Sequence, residues 1–516
     1  MDMREEEKKL TLEEARAVIN EQDAIILKAF ETRMGAVREV LRNKIEQGLP
    51  VYVPQREAEI LQKAAAEVPK ELSEYTVELY KKLMEVSRAY QNRLRRFGLL
   101  GRKLSHSFSP EIHRQLAQYS EPYSYDIFEV EPENLESFVR CGDWAGLNVT
   151  IPYKQDVMAF CDELSPEAER IGAVNTLVRR DGRILGYNTD YTGFRKTVEA
   201  SGAPVCGAKC IVLGSGGASR AVTCVLEDLG ASQVVVVSRD GRTGCDYLQM
   251  KQDHQDAVIM VNTTPVGMYP HTGVSAAYPG AFWKLEYVFD VIYNPLRTNF
   301  LCQARKSGME TFNGLKMLTE QAKASAQLFL NCEIPESAAA SIERSLAWEK
   351  ENIVLIGMPG CGKSTVGRIL AEKTGRRFVD IDERITEREG RSIPSIFAED
   401  GEEQFRRMET EAVESLKQET GIVIACGGGV VTREENYYSL AENGRLIFLN
   451  RDISLLPTDG RPLSQSTPLA RMYAHRLPLY RSWCDMEVEN SGKTPEETAA
   501  EIEAYILPSR PEYDKI

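Results

Sequence analysis

The stretch NIVLIGMPGCGKSTVGRIL, residues 352–370, leaves the chain little freedom. Its apolar start is a buried strand, and Gly357, Gly362, Lys363 and Ser364 then satisfy G-x-x-x-x-G-K-[ST] ahead of an amphipathic helix. Strand, glycine turn and helix in that order dictate a parallel α/β sheet whose backbone amides cradle phosphate. Gly360, Gly362, Lys363, Ser364 and Thr365 are therefore the candidate ATP-binding residues, with Lys363 reaching the β and γ phosphates and Ser364 holding Mg2+.

One such sheet cannot absorb 516 residues, a length that suggests roughly three or four domains. A formal charge of -14 argues against nucleic acid as a general partner. The start, MDMREEEKKL, has no signal-peptide core, and no run reaches the ~18 apolar residues of a membrane span, so a cytoplasmic protein is expected. The 11 cysteines, without a C-x-x-C pair, favour reduced thiols. None of the five histidines stands at metal-ligand spacing from another, which argues against zinc or histidine-based catalysis.

Downstream of the phosphate loop, RRFVDID is expected to put Asp380 and Asp382 on one face of a strand end. GEEQFRRME with Arg406, ACGGGV with Gly428, DGRPL with Arg461 and RLPLY with Arg476 follow. This set resembles shikimate kinase. The resemblance implies that Asp382, Arg406, Gly428 and Arg476 hold shikimate, that Asp380 joins Ser364 around the metal, and that Arg461 stabilises the transferring phosphoryl group from a mobile lid. The segments 450–461 and 461–476 are short for that family, so a weaker or faster-released nucleotide is expected. The final helix opens on Thr494-Pro495-Glu496-Glu497, a capping box with proline at its first position, and SRPEYDKI after it reads as a frayed tail.

A second glycine turn lies in KCIVLGSGGASRA, residues 209–221. Gly214, Gly216, Gly217 and Ala218 form a dinucleotide cradle in which Ser219 replaces the third glycine of G-x-G-x-x-G. At the end of the next strand stand Ser238, Arg239 and Arg242; the arginines favour the 2′-phosphate of NADP, while Asp240 leaves NAD as the alternative. The surrounding segments FGLLGRKLSHSFSP, GLNVTIPYK, GAVNTL, GYNTDYTG, NTTPVGM and DVIYNP are each explicable as turn chemistry. In this order they resemble shikimate dehydrogenase. The resemblance assigns Ser107, Ser109, Thr150, Asn175 and Gln321 to the substrate, with Tyr293 beside them, and makes Lys154 and Asp190 the catalytic pair. Hydride from NADPH and a proton on the nascent alkoxide would reduce 3-dehydroshikimate. Oxidation of quinate with NAD is the alternative.

From Leu10 to about Gln47 apolar residues recur at helical spacing; further helices start near Gln55 and run from about Glu71 to Leu94. Arg33 and Lys44, 11 residues apart, share a helix face, whereas Arg16 lies about 25 Å back and about 100° round. This segment resembles the all-helical chorismate mutases through Arg16, Arg33, Lys44, Arg56, Glu57, Ser87 and Gln91, and departs from them at Val53, where aspartate is usual. The resemblance implies an intertwined homodimer in which each site borrows Arg16 from the other copy. Arginines would hold two carboxylates, and Lys44 and Gln91 would stabilise charge on the ether oxygen. A dimerising module without catalysis is the alternative.

The expected architecture is thus multidomain: an all-α three-helix mutase over 1–94, an α/β dehydrogenase over 95–349 and an α/β P-loop kinase over 350–516. Within the dehydrogenase, about 95–195 plus 315–349 form the substrate domain and about 196–314 the NADP-binding Rossmann domain. The expected partners are small molecules, chorismate, 3-dehydroshikimate and shikimate, with NADP(H), ATP and Mg2+ as cofactors.

Overall fold

The computed structural model describes residues 10–46, 52–94, 96–104, 107–120, 123–456 and 469–506. Two compact units emerge, one of residues up to 169 with 173–187 and 325–334, the other of 170–172, 188–324 and 335 onward.

In the first unit, three helices precede any strand: α1 Leu12–Glu46, α2 Pro54–Ala66 and α3 Ser73–Leu94. No proline interrupts α1, and Pro54 occupies the first position of α2, where its missing N–H is harmless. Val37 and Leu41 of α1 are buried, as are Ala64 of α2 and Met84 of α3. The amino-terminal part of α1 differs, with Ile19, Ile26 and Leu27 exposed to 57%, 62% and 69%. Within one copy that apolar face has no cover among the described residues.

The same unit holds a six-stranded mixed sheet in the order Ser124–Glu129, Arg96–Gly101, Gly146–Val149, Thr176–Arg180, Arg183–Tyr187, Glu163–Leu164. Its first three strands are parallel and Thr176–Arg180 is antiparallel to both of its neighbours. Asn148, buried on the middle strand, accepts from Tyr125 Oη at 2.7 Å, faces His113 Nε2 at 3.2 Å and donates to Ser325 Oγ at 2.7 Å. Burial keeps His113 neutral by lowering its pKa to about 3.

The second unit contains two wholly parallel five-stranded sheets. One runs Glu310–Phe312, Tyr287–Asp290, Ile259–Asn262, Lys209–Leu213, Gln233–Val237. The other runs Arg377–Asp380, Ile422–Ala425, Asn352–Ile356, Gly444–Asn450, Met486–Glu489. Parallel strands require crossovers, and the central strands carry near-continuous apolar runs because helices cover both faces. In each sheet the strand before a glycine turn lies inside the sheet, where the chain order reverses, and ligands of such folds sit beyond that point. The capping box at Thr494 forms, with Thr494 N donating to Glu497 Oε2 at 2.8 Å and Glu497 N to Thr494 Oγ1 at 3.1 Å. No helix among the described residues is long and apolar enough to cross a membrane.

Asn148→Ala strands several buried polar groups at once, so it should lower the unfolding free energy of the first unit by about 3 kcal/mol in urea titration. An unchanged midpoint would show that the network contributes little.

Candidate active sites

The phosphate loop follows strand Asn352–Ile356 and enters helix Lys363–Thr374. Gly362, at φ +100°, precedes the helix without a side-chain cap, which leaves the first amides for a phosphate. Lys363 is buried and donates from Nζ to the carbonyls of Gly357 and Met358, both at 2.9 Å. Thr365 is exposed on the first turn, and Gly360 bends the loop at φ +82°. Ser364 Oγ donates to Asp380 Oδ2 at 2.6 Å. This hydroxyl and carboxylate are hard oxygen donors of the kind Mg2+ takes, so the residues fit Mg2+ with ATP.

Asp380 and Asp382 do not share a strand face. The strand ends at Asp380, whose Oδ1 accepts from the amides of Asp382 and Glu383 at 2.9 and 3.3 Å and so caps helix Ile381–Glu389. An aspartate is a strong N-cap, and the helix begins two residues earlier than strand alternation assumed. Asp382 therefore projects from a first helical turn. Its Oδ1 is sealed from solvent and has no hydrogen-bond partner. Burial, then the nearby Glu409 and Asp380, push the Asp382 pKa up to about 7 against the pull of Lys363 and Arg406.

Arg406 is buried and donates from Nη1 to Glu409 Oε2 at 2.6 Å. A Cβ on Gly429 would lie 2.1 Å from the Arg406 guanidinium carbon, and one on Gly427 would lie 2.9 Å from Asp382 Oδ1, so the glycine turn lets backbone approach both side chains. Arg476, also buried, donates to Gly428 O at 3.1 Å. Lys363, Asp382, Arg406, Gly428 and Arg476 thus share one neighbourhood. Arg461 and the lid up to residue 468 lie outside the described residues, and the remainder of the segment to Arg476 belongs to helix Leu469–Trp483. Glu409 and Asn490 were not singled out from sequence. Glu409 is wholly buried with Oε1 unpartnered, and burial raises its pKa; Asn490 Nδ2 holds the carbonyl of Cys361 in the phosphate loop at 2.6 Å. The i, i+3 spacing from Arg406 was the available signal for Glu409.

The second glycine turn joins strand Lys209–Leu213 to helix Gly217–Asp228. Gly214 has φ +109°, and a Cβ there would lie 2.8 Å from Thr263 Oγ1, so neither the angle nor the space admits a side chain. Gly216 caps the helix without a side-chain bond and has open space where a Cβ would stand. Gly217 and Ala218 open the helix, and Ser219 is buried, packing where the fingerprint has glycine. Ser238, Arg239 and Arg242 lie at the end of strand Gln233–Val237. Asp240 is engaged by its own loop, accepting from Ser238 Oγ at 3.0 Å and pairing with Arg242 Nε at 3.0 Å. Both arginines remain exposed. The uncapped turn and the exposed cations fit a phosphorylated dinucleotide.

In the first unit, Ser109 begins helix Ser109–Leu116 and its amide donates to Ser107 Oγ at 3.2 Å. Thr150 and Lys154 follow strand Gly146–Val149, and the Lys154 carbonyl accepts from Val174 N at 2.7 Å. Asn175 is buried, and its backbone bridges to Val149 N and Tyr187 O at 2.7 and 3.0 Å. In the second unit, Asp190 is buried in the first turn of helix Thr189–Ser201, and Thr189 Oγ1 donates to Gln321 Oε1 at 3.3 Å. Tyr293 is half-buried, and burial raises its pKa.

Among the helices, Arg33 of α1 donates to Ser87 Oγ of α3. Ser87 and Gln91 are buried one turn apart, and Gln91 Oε1 has no partner. Lys44 is half-buried near the end of α1, and Arg16 is exposed near its start. Glu57 pairs with Arg88, a residue not singled out from sequence, whereas Arg56 faces solvent and pairs with Glu59 at 2.9 Å.

Comparison with known proteins matches three family models in order: chorismate mutase type II over 15–92, shikimate dehydrogenase substrate binding domain over 99–177 and shikimate kinase over 359–506. The NADP(+) shikimate dehydrogenase of Clostridium perfringens (strain SM101 / Type A) is 37% identical over 265 residues, 48% of this chain and 97% of that protein. That of Methanococcus maripaludis (strain C6 / ATCC BAA-1332) is 38% identical over 251 residues, 45% of this chain and 90% of that protein. A solved chorismate mutase/shikimate 5-dehydrogenase fusion protein from Clostridium acetobutylicum is 38% identical, covering 49% of this chain and 96% of that chain, with a TM-score of 0.47. The chain belongs to the shikimate dehydrogenase family, with a type II chorismate mutase domain before that segment and a shikimate kinase domain after it.

Proposed function

We propose that the chain is a trifunctional enzyme that rearranges chorismate to prephenate, reduces 3-dehydroshikimate to shikimate with NADPH, and phosphorylates shikimate at its 3-hydroxyl with ATP. The observation that carries this reading is the cluster of Arg406, Glu409, Arg476 and Asp382 beside the phosphate loop, which suits a carboxylate-bearing polyol such as the product of the dehydrogenase. We assign 1–94, 95–349 and 350–516 to the three activities.

When bound, NADPH supplies the hydride, and ATP with Mg2+ supplies the phosphoryl group. In the dehydrogenase, Ser107, Ser109, Thr150, Asn175, Tyr293 and Gln321 orient the substrate, and Lys154 and Asp190 are the catalytic pair that delivers the proton to the nascent alkoxide. Gly214, Gly216, Gly217 and Ala218 receive the pyrophosphate, while Arg239 and Arg242 receive the 2′-phosphate beside Ser238. In the kinase, Gly360, Gly362, Lys363, Ser364 and Thr365 hold ATP, and Ser364 and Asp380 organise Mg2+. Arg406 and Arg476 clamp the shikimate carboxylate, Gly428 lines the acceptor site, Asp382 orients the 3-hydroxyl, and Arg461 steadies the transferring group.

In the mutase, Arg33, Arg56 and Arg16 of a second copy hold the two carboxylates of chorismate, with Glu57 and Ser87 completing the pocket. Lys44 and the Gln91 amide stabilise the ether oxygen. The buried, unpartnered Gln91 Oε1 favours catalysis over a purely dimerising role. The exposed apolar residues of α1 support a homodimer through these helices. All eleven cysteines are free, which suits a reducing cytoplasm.

Three variants of the full chain separate the activities. Lys44→Ala, Lys154→Ala and Lys363→Ala should each lower one kcat by about 100-fold or more, in chorismate consumption, NADPH oxidation and ADP release respectively, and spare the other two. Loss of all three together in any variant would contradict the assignment. Glu409→Gln should raise the KM for shikimate about tenfold and leave that for ATP unchanged. Replacing Arg239 and Arg242 by alanine together should lower kcat/KM with NADPH about 100-fold and barely alter that with NADH; an NADH preference in the unaltered chain, or NADH formation from quinate, would overturn the NADP assignment.

A further inference from the structure

The loop that follows Tyr293 is held by residues of the kinase segment. Leu296 N donates to Asn443 Oδ1 at 3.0 Å, and Arg297 N donates to the carbonyl of Glu442 at 2.8 Å. The Arg297 guanidinium donates to Gly444 O at 3.1 Å and to Asp485 Oδ2 at 3.3 Å. Arg305, on helix Asn299–Lys306, pairs with the other oxygen of the same carboxylate. Asp485 is itself anchored, since its Oδ2 accepts from Leu446 N at 2.8 Å and its amide donates to Leu446 O at 2.7 Å. Its side chain is only 7% exposed. Burial alone would raise its pKa, but Arg297 and Arg305 outweigh that and hold it below the usual carboxylate value.

Apolar and rim contacts extend the joint. Cys302, from the same helix as Arg305, is wholly buried and belongs to the hydrophobic core of the kinase sheet. Lys306 pairs with Glu434 at 2.8 Å and lies 4.3 Å from the Tyr437 ring centre. The strand Gly444–Asn450 that receives these contacts reaches the phosphate loop at its other end, where a Cβ on Gly357 would lie 2.5 Å from Leu449 O.

The geometry points to Asp485 as a positioning residue for the dehydrogenase, supplied by the kinase segment: by holding Arg297 and Arg305 it fixes the 293–297 loop and therefore Tyr293 against the substrate. This rests on the reading of Tyr293 as a substrate residue. A buried carboxylate bonded to two guanidiniums and a backbone amide is rigid, because moving either cation away breaks a charge-assisted hydrogen bond at a site largely closed to water. The dehydrogenase thereby uses the kinase as part of its frame.

The test compares full-length Asp485→Asn with Arg305→Gln, a milder change that removes one of the two cations. Two readouts are taken: deuterium exchange of peptides spanning 291–301, and steady-state constants of both reactions. Faster exchange there is expected in both variants, with KM for 3-dehydroshikimate raised about fivefold or more, KM for NADPH unchanged and shikimate kinase kcat within about twofold. Unchanged exchange and unchanged KM in either variant that retains kinase activity would overturn the proposal, as would an equal loss of both activities in the milder variant. Faster exchange in a chain whose unaltered form reduces no 3-dehydroshikimate would leave the joint standing and refute the functional reading instead.

Discussion

Two parallel sheets each end an interior strand in a glycine turn that opens a helix with no side-chain cap, at Gly216 and at Gly362. Serine, threonine, asparagine and aspartate are the side chains that satisfy a helix's first amides, as Asn188, Asp246, Thr298, Asp380 and Ser392 do in this chain. Leaving amides unsatisfied has a free-energy cost that a bound phosphate offsets. The parallel arrangement puts both turns at strand ends where the chain order reverses, so the fold itself selects those two edges for nucleotide chemistry.

The substrates proposed for this acidic chain are anions, and each site concentrates cations locally. Two of those cations are oriented by carboxylates, Arg406 by Glu409 and Arg242 by Asp240, and Asp380 accepts from the Ser364 hydroxyl. The negative partners have their own consequence at Asp382, whose carboxyl is pushed up to about 7 by burial and by Glu409 and Asp380. A group poised near neutrality is suited to accept a hydroxyl proton. The Arg406–Glu409 pair is buried, so salt does little to screen it, whereas the exposed Arg242–Asp240 pair is screened.

Local patterns carried most of the fold and much of the sites. Both glycine turns, the three amino-terminal helices and the capping box at Thr494 were legible because each depends on residues a few positions apart. Asp382 was misplaced because the N-cap strength of Asp380 ended the strand earlier than alternation suggested. Glu409 went unnoticed because a buried acid under an arginine looks, in sequence, like a solvated i, i+3 pair. Arg88 beneath Glu57 and Asn490 on the phosphate loop are contacts across long stretches of chain, and so is the Asp485 joint to Arg297 and Arg305. No periodicity marks such contacts; packing alone creates them.

The account as a whole requires that one chain make an intermediate and then consume it. A single preparation given 3-dehydroshikimate, NADPH, ATP and Mg2+ should form shikimate 3-phosphate, detected by mass spectrometry, with one ADP released for each NADPH oxidised at completion. NADPH oxidation that ends at shikimate, with no ADP and no phosphorylated product, would contradict it.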